Sequence, residues 1–390
     1  MSFFRNDAIN RVNLHYGVQQ LAEGAGGGFV FVFLLRAGVP VPLVFCTLAA
    51  MVAGRFVLRP IVLPLAQRFG LRATLIAGTV GEAGTFLILP AVHGPGPLLW
   101  IMALEGALSS VLYWTSYHAY FASIGEAEDR GGNVGLREAI ASVTGIAAPL
   151  LGSWALITFG PWVAFYAAAI AQAASALPLL GAPQVSVPAQ APGGFRAAFM
   201  GAALFATDGW FAASYHYVWQ VALFVTLGES FAGLGAAMAL AGLAGAVGSL
   251  TIGRMIDLGH GRGSLAVAYG CAGVVVILKA VGFGSPWLAT IANALGAVAA
   301  TLVIPALMTP VYNLAKASPC PLRFHIATEA GWDLGCGAGC LAAAGLAWAG
   351  LPLSAPILLA LVSGLAAFLI LSRSYVRAGR PAGASAGPRT

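Results

Sequence analysis

Long runs of apolar residues, interrupted by charged, proline and glycine residues, recur along the whole chain. Twelve such runs can be counted between the interruptions. An α-helix needs about 20 apolar residues to cross the hydrocarbon core of a bilayer. The runs are too continuous for the roughly ten-residue alternating strands of a membrane barrel. Because a spanning backbone must satisfy its hydrogen bonds internally, the pattern predicts an all-α integral membrane protein with twelve transmembrane helices. The predicted helices lie at about 13–35, 40–66, 72–93, 98–123, 135–159, 161–182, 197–226, 230–253, 264–284, 286–315, 323–349 and 352–375.

Composition supports the same class. Hydrophobic residues make up 59% of the chain and charged residues only 8%, and the mean hydropathy is +0.87. A soluble domain carries about 25% charged residues. The opening stretch "MSFFRNDAINR" lacks the form of a cleavable signal peptide. The five cysteines are an odd number scattered through apolar runs, which argues against a disulfide framework.

The positive charges predict an orientation. With twelve helices, nearly every loop that carries arginine or lysine falls on the side that also holds both termini, and Arg36 stands almost alone on the other side. Cytoplasmic loops carry an excess of Lys and Arg, so both termini are expected in the cytoplasm of a bacterium, with the protein in its inner membrane. The residues on the terminal side are Arg5, Arg11, Arg68, Arg72, Arg130, Arg137, Arg196, Arg254, Arg262, Lys316, Arg323, Arg373, Arg377, Arg380 and Arg389.

Two halves of the sequence repeat each other weakly. One constant offset aligns Gly38 with Gly228, and "LPLAQRFGLR" (63–72) with "GRMIDLGHGR" (253–262). A parallel repeat of six helices is typical of a transporter whose site lies between the halves. We expect an N-terminal half at 1–182, a central cytoplasmic loop at 183–196, a C-terminal half at 197–377 and a disordered tail at 378–390.

The loop after the second helix carries a family signature. In its place stand Leu63, Gln67, Arg68, Gly70 and Arg72, and a second copy keeps Gly253 and Asp257. The chain thus resembles the major facilitator superfamily, in which this loop latches a gate between two pseudo-symmetric six-helix halves. The resemblance covers nearly the whole chain and implies a monomer that works by alternating access.

Two further motifs bear on the kind of transporter. "GIAAPLLGS" on the fifth helix, with Gly145, Pro149 and Gly152, resembles the Gly/Pro motif of the family's proton-coupled drug and solute antiporters; ordinary small-residue helix packing is the alternative. The fourth helix has "MALEG" where the family often carries a basic residue, so Met102 and Glu105 depart from the usual proton relay.

Two polar and aromatic stretches, "YWTSYHAY" (113–120) and "SYHYVWQ" (214–220), stand out within apolar helices. In the family the first, fourth, seventh and tenth helices line the central cavity, so the resemblance implies that both stretches line it. Aromatic belts at the membrane surface are the alternative. The expected lining residues are Gln19, Gln20, Trp114, Tyr117, His118, Trp210, Tyr215, His216, Trp219 and Asn293.

Acidic residues inside the membrane are costly unless they are paired, hydrated or protonated, so each is a functional candidate. Glu329 and Asp333 are one helical turn apart, as are Arg55 and Arg59. Because the second and eleventh helices abut in the family, these four residues are expected to pair and to act as a gate. The remaining candidates for proton or cation binding are Glu23, Glu82, Glu105 and Asp208. Lys279 is expected at the periphery.

A cavity with unpaired acids and aromatic rings suits a cation, since ring faces attract cations strongly when water is excluded. We therefore expect proton-coupled export of small, partly hydrophobic cations, with proton-driven uptake of a small solute as the alternative. A metal site at Cys336, Cys340 and the histidines is weighed against simple packing of cysteine in a Gly/Ala-rich stretch. No cofactor, nucleotide or nucleic-acid motif is found, and an intramembrane enzyme or a sensor remains the alternative of a different class.

Overall fold

The computed structural model describes residues 7–124, 130–256 and 261–378, with side chains omitted at 130–139, 141–142, 250–256, 261–262 and 374–378. Twelve long helices account for most of this part of the chain, and it contains no strand. We number them α1 Asp7–Arg36, α2 Val41–Phe69, α3 Leu71–Ala91, α4 Pro97–Ile124, α5 Arg130–Thr158, α6 Gly160–Leu180, α7 199–226, α8 Phe231–Ile256, α9 Gly261–Gly282, α10 Pro286–Ala317, α11 Pro321–Trp348 and α12 Ser354–Ala378. The predicted twelve-helix fold is confirmed. The predicted tail lies outside the described residues, apart from its first residue.

Nine of these helices, within the described residues, contain a stretch long and apolar enough to cross a membrane. The α5 helix has a shorter apolar stretch, Val143–Thr158. The α11 helix carries Arg323, Glu329 and Asp333, and α7 is divided by an irregular segment. The α7 and α11 helices, which lack a long uninterrupted apolar stretch, hold most of the candidate site.

Several helices contain irregular turns. A 3-10 turn at Gly27–Phe29 interrupts α1 at the end of the glycine-rich stretch 24–28, because glycine is a poor helix former. Short 3-10 turns also occur at Arg59–Ile61 in α2 and at Leu89–Ala91 in α3. In α7 a π-helix spans Ala213–Val218, between the α-helical segments Phe199–Ala212 and Trp219–Thr226. The sequence prediction of one continuous seventh helix did not anticipate it.

Helices within each half pack closely through small residues. The α3 helix packs on α4 and α6, and α7 packs on α11 and α12. A Cβ added at Gly78 would meet the Tyr113 backbone, and one at Gly335 would meet the Ala206 carbonyl. The halves meet along α2 with α11 and along α5 with α8. The intramembrane charges of α2 therefore face those of α11.

The Gly/Pro motif of α5 lies at two of these contacts. A Cβ at Gly152 would collide with the backbone of Ala25 on α1, whereas a Cβ at Gly145 would meet nothing within 4 Å. On the facing helix, a Cβ at Gly242 would press on the Gly145 carbonyl. Gly152 therefore serves close helix packing, which is the alternative reading of this motif.

Contacts between the halves occur at both ends of the bundle. We call the end where α1 begins and α12 finishes the terminal end, and the opposite one the far end. At the far end, Gln220 donates a hydrogen bond to the Gly28 carbonyl at 2.6 Å, and Phe31 packs edge-on against Tyr217. At the terminal end, Tyr312 of α10 contacts His118 of α4. Contacts between the halves are thus present at both ends.

The segment after α6 ties the terminal end together. The side chain of Arg72 donates to the Ala182 carbonyl at 2.6 Å, and Arg323 of α11 donates to the Ala189 carbonyl at 2.8 Å. Gly70 has a φ of +81°, and the Gln184 side chain fills the space beside it. Arg68 is exposed and its guanidinium lies over the Phe69 ring. The expected latch loop thus contacts the central loop; Gly253 lies within α8, and Asp257 lies outside the described residues.

Candidate functional site

Four charged residues form a buried network between α2 and α11. Arg55 Nη2 lies 3.3 Å from Glu329 Oε2, and Arg55 Nε lies 3.1 Å from Asp333 Oδ1. Arg59 pairs with the second oxygen of Asp333 and donates to Thr115 Oγ1 at 2.8 Å. All four charged residues are at most 5% exposed. The predicted pairing is present in the structure.

Local sequence explains this geometry. Residues four apart lie on one face of a helix, so one face of α2 carries both arginines and one face of α11 carries both acids. Two positive and two negative charges cancel. A buried ion pair of this kind is destabilised strongly when one partner is lost. The network holds α2 to α11, and its own four charges balance.

An aromatic residue connects this network to a third acid. The indole nitrogen of Trp332 donates to Asp208 Oδ2 at 3.1 Å, and the Arg55 guanidinium lies 5.3 Å from the Trp332 ring centre. Asp208 is half-buried on α7 and has no cationic partner among the described residues. It was expected to be an unpaired acid and instead accepts a neutral donor.

A cluster of two histidines and a tyrosine lies next to the network. The rings of His118 on α4 and His325 on α11 stack with centroids 5.5 Å apart. Tyr312 Oη lies 3.3 Å from His118 Nδ1, and His118 Nε2 lies 3.7 Å from Glu329 Oε1. His216, weighed with His118 as a possible metal ligand, lies on α7 beside Tyr215. The sequence analysis missed His325 as a site residue.

Two further acids are held by neutral donors. Glu82 is 8% exposed and accepts a hydrogen bond from the Gln172 amide at 2.7 Å. Glu105 accepts one from Thr85 Oγ1 at 2.6 Å, in the contact between α3 and α4. The expectation that Glu105 is an unpaired cavity acid is therefore corrected, since helix packing sets it against α3.

Glu23 differs from these acids. Its carboxylate forms no hydrogen bond or ion pair within the described part of the chain, and the residue is half-buried near the middle of α1. The carboxylate lies against Gly27, one turn further along the helix. Further along the same helix, Gly28 and Phe31 contact α7 of the other half. Glu23 is thus an acid without a hydrogen-bond or ion-pair partner, among the described residues, on a helix of the interface.

The tyrosines of the stretch 113–120 are packed inside the N-terminal half. Tyr113, Tyr117 and Tyr120 are at most 1% exposed. Tyr117 stacks on Tyr16 of α1, and the Tyr120 hydroxyl donates to the Pro183 carbonyl at 2.6 Å. The prediction that Tyr117 lines a wet cavity is contradicted in this arrangement. Trp114, also a predicted lining residue, is half-buried beside His118.

The second stretch is also mostly buried. Tyr215 is 2% exposed and donates to the Gly296 carbonyl at 3.0 Å, while Trp219 is 3% exposed and donates to Asn293 Oδ1 at 2.9 Å. The Asn293 amide in turn donates to the Ala237 carbonyl. These contacts hold α7 to α10, so the lining role predicted for the three residues is corrected. His216 alone in this stretch is exposed.

The remaining predicted lining residues have mixed surroundings. Gln19 is fully buried and its side-chain oxygen accepts from the Gln20 amide at 2.8 Å. The first of these glutamines therefore packs between helices, whereas Gln20 is half-buried. Trp210 is half-buried, and its indole nitrogen has no partner among the described residues.

Lys279 lies inside the C-terminal half, against the expectation that it is peripheral. It is 2% exposed, and its Nζ donates to the Tyr215 carbonyl at 2.9 Å. The Nζ also lies 3.4 Å from the Tyr215 ring centre and 5.2 Å from that of Trp219. No carboxylate pairs with it in the described ranges. The π-helix contributes the carbonyl that this ammonium binds, and neither feature has a signal in the hydropathy pattern.

The cysteines are free, and Cys336 and Cys340 are buried against α2. No group of three or more His, Cys, Asp and Glu side chains suited to a metal ion is found among the residues described. His15 was also missed by the sequence analysis. It is fully buried, with Nδ1 2.8 Å from the Ser175 carbonyl and Nε2 3.3 Å from Tyr113 Oη.

Comparison with known proteins agrees with this architecture. The sequence model of the Major Facilitator Superfamily matches residues 37–319. No curated protein matches the chain. An auto-inhibited peptide transporter of the POT family has 14% identity and a TM-score of 0.71, over 99% of both chains. The human organic anion transporter MFSD10 (TETRAN) has 17% identity and a TM-score of 0.69, over 94% of this chain and 99% of that one. The nucleoside transporter NupG has 12% identity and a TM-score of 0.65, over 94% of this chain and 99% of that one.

Twelve helices in two facing halves, together with the family match, indicate a multi-pass membrane transporter. The chain belongs to the major facilitator superfamily, whose sequence model covers well over half of it. At the identities found, the solved structures show the shared fold alone.

Proposed function

We propose that the protein is a proton-coupled transporter that exports small, partly hydrophobic organic cations by alternating access. The proposal rests on the lack of a partner for the Glu23 carboxylate. Glu23 is the intramembrane acid with neither a hydrogen bond nor an ion pair among the described residues, and it lies on α1, a helix that contacts the other half through Gly28 and Phe31. A carboxylate in that position is costly unless a proton, water or a cation accompanies it.

The neighbouring charges make an anionic substrate less suitable. Arg55 and Arg59 are occupied by Glu329 and Asp333. Along the interface this leaves Glu23, together with Asp208 and its single neutral donor, as acids without cations. Competition between a proton and a cationic substrate for one carboxylate produces exchange, because each ligand displaces the other.

Aromatic side chains next to these acids suit an organic cation. Trp332 donates a hydrogen bond to Asp208, and Tyr217 packs against Phe31 of α1, the helix that carries Glu23. Ring faces attract a desolvated ammonium group, and they also bury its apolar part. A small amine with a hydrophobic substituent therefore fits the composition of this interface better than a sugar.

We assign the Arg55–Glu329 and Arg59–Asp333 pairs to the gate at the terminal end. The bias of positive charge assigns this end to the cytoplasm of a bacterial inner membrane. Contacts hold both ends closed, so transport requires that one set of contacts breaks while the other remains. The two halves, divided at 183–196, would move as units within a monomer.

The test uses purified protein in proteoliposomes with an imposed pH gradient. Thermal stabilisation by a library of organic cations, sugars, peptides and organic acids at pH 6 and pH 8 first selects the substrate, because a ligand stabilises the state that it binds. Glu23→Gln should then keep the fold and abolish pH-driven flux. Glu105→Gln is the matched control, since Glu105 lies in the α3–α4 contact, and it should keep coupled flux.

Three results would redirect the proposal. Normal coupled flux in Glu23→Gln removes Glu23 as the proton carrier. Stabilisation by neutral or anionic compounds alone favours the alternative, proton-driven uptake of a small solute. Cation stabilisation that does not increase from pH 6 to pH 8 excludes competition with a proton.

A further inference from the structure

The stacked histidines at the terminal end join the two halves of the protein. His118 belongs to α4 of the N-terminal half, and His325 belongs to α11 of the C-terminal half. Their rings are 5.5 Å apart and inclined by only 23°. Tyr312 of α10 lies beside both rings, with its centroid 6.3 Å from that of His325. The stack can exist only while the terminal end is closed.

His325 is unusual in its burial. It is 1% exposed, and neither ring nitrogen has a hydrogen-bond partner among the described residues. Burying a polar group without a partner is unfavourable, and an apolar aromatic residue would fill the same space without this cost. Packing alone therefore does not account for an imidazole at this position.

The acids that face the stack are already paired with arginines, so none is free to pair with a protonated histidine. Glu329 is 3.7 Å from His118 but is already paired with Arg55, and Asp333 is shared by Arg55 and Arg59. Arg323, next to His325, is bound to carbonyls of the central loop. The other groups that face the cluster are Tyr117 and Trp114 of α4, Tyr312 of α10, Asp208 of α7 through Glu329, and exposed Lys316 one turn beyond Tyr312.

We propose that His118 and His325 form a proton-binding site between the halves, and that protonation there opens the terminal end. A proton on His118 is attracted by Glu329 across the halves, so the opening force comes from His325, whose buried ring has no partner among the described residues for an added proton. A second proton on His325 adds repulsion between stacked imidazolium rings. In the open form both rings reach water and can be protonated without either cost. Acid therefore shifts the equilibrium toward the open terminal end, because a ligand favours the state that binds it better.

This inference deepens the proposed function, since it gives the proton a second site at the gate itself. It does not require a known substrate. Each proton taken up on opening can change the opening equilibrium by up to about tenfold per pH unit. With two histidines, the opening equilibrium can change by at most the effect of two protons.

The experiment measures hydrogen–deuterium exchange of the full-length protein in lipid nanodiscs, without substrate, between pH 5.5 and pH 7.5. Rates are corrected for the intrinsic pH dependence of amide exchange. Peptides from the terminal ends of α4, α10 and α11 should exchange faster at the lower pH, and peptides from the far end should not. The variant His118→Phe/His325→Phe keeps two stacked rings and should lose this response.

Matched controls separate a specific effect from a general one. His93 is exposed at the far end, so His93→Phe should keep the full response. If the double variant fails to fold, His325→Gln alone should reduce the response by at least half, since it removes one of the two sites. An unchanged response in either folded variant overturns the proposal, as does a native protein whose corrected exchange does not depend on pH.

The result is independent of the Glu23 assignment. Loss of pH-driven flux in Glu23→Gln with an unchanged exchange response in His118→Phe/His325→Phe supports the proposed function and removes the histidine site. Normal pH-driven flux in Glu23→Gln, with a lost exchange response in His118→Phe/His325→Phe, supports the histidine site and removes Glu23 as the proton carrier.

Discussion

The indole of Trp332 donates a hydrogen bond to Asp208 at 3.1 Å while its ring lies 5.3 Å from the Arg55 guanidinium. One side chain of α11 thus contacts an acid of α7 and a gate residue of α2. Within the C-terminal half it holds a carboxylate, and across the interface its ring lies against an arginine that pairs with Glu329 and Asp333. A movement of Trp332 would therefore change the surroundings of these ion pairs, which we propose as the gate.

We expect a measurable coupling between Asp208 and Trp332. In a double-mutant cycle of Asp208→Asn and Trp332→Phe, the interaction free energy should be about 1 kcal/mol, typical of a hydrogen bond within a membrane protein. Thermal or denaturant unfolding in detergent measures it. Trp210→Phe is the control, because the Trp210 indole nitrogen has no partner. Equal coupling energies for the two tryptophans would show that the 3.1 Å contact is not energetically specific.

The Arg59–Asp333 pair should show the behaviour of a buried ion pair. Arg59→Gln leaves Asp333 with Arg55 alone and should cost about 3–5 kcal/mol in the free energy of unfolding. Adding Asp333→Asn should recover part of that loss, since it restores equal numbers of positive and negative charges in the network. The exposed pair Arg36–Glu229, separated by 3.8 Å, provides the comparison, and Arg36→Gln should cost no more than about 1 kcal/mol. A double variant less stable than Arg59→Gln alone would contradict the argument.

Several features follow from the sequence because they rest on simple periodicities. Run length and low charge predict the twelve helices, and four-residue spacing predicts that Arg55 and Arg59 face Glu329 and Asp333. These signals depend on one helix at a time, or on a pairing of helices that the whole superfamily shares. These features can therefore be predicted without knowledge of the tertiary structure.

Other features could not be predicted because the same mixture of polar and aromatic residues suits both a water-filled cavity and a packed interior. Tyr117 and Tyr215 lie in stretches whose composition suits either a wet lining or a packed interior, and only the rotation of each helix decides between them. The burial of Lys279 depends on a π-helix that frees a carbonyl on another helix. His325 becomes notable only when α4 of the other half brings His118 beside it.

Two glycines of the Gly/Pro motif of α5 differ in the space around them, so one serves as the control for the other. Gly152→Ala would press a methyl group on the Ala25 backbone and should cost about 1–3 kcal/mol, because overpacking forces helices apart. Gly145→Ala meets nothing within 4 Å and should be neutral or stabilising by up to about 1 kcal/mol, because alanine favours the helix. Thermal unfolding of the two variants measures the difference. Equal destabilisation would mean that the motif acts through glycine flexibility and not through close packing.

Lys279 and the π-helix of α7 lead to the last prediction. A π-helix commonly marks a functional position in a helix, and here its Tyr215 carbonyl is bound by the Lys279 ammonium. Lys279→Met keeps the length of the side chain and removes the donor, so the segment 213–219 should open more readily. Loss of about 1 kcal/mol corresponds to roughly fivefold faster amide exchange there.

Tyr215→Phe is the matched control for this measurement. It removes the hydrogen bond to the Gly296 carbonyl and leaves the ring and the Lys279 contact in place. Exchange of the segment 213–219 should then change less than in Lys279→Met. A larger change in Tyr215→Phe would assign the stability of the π-helix to its contact with α10. If the prediction holds, Lys279 of α9 fixes the conformation of α7 at the level where α7 contacts α1.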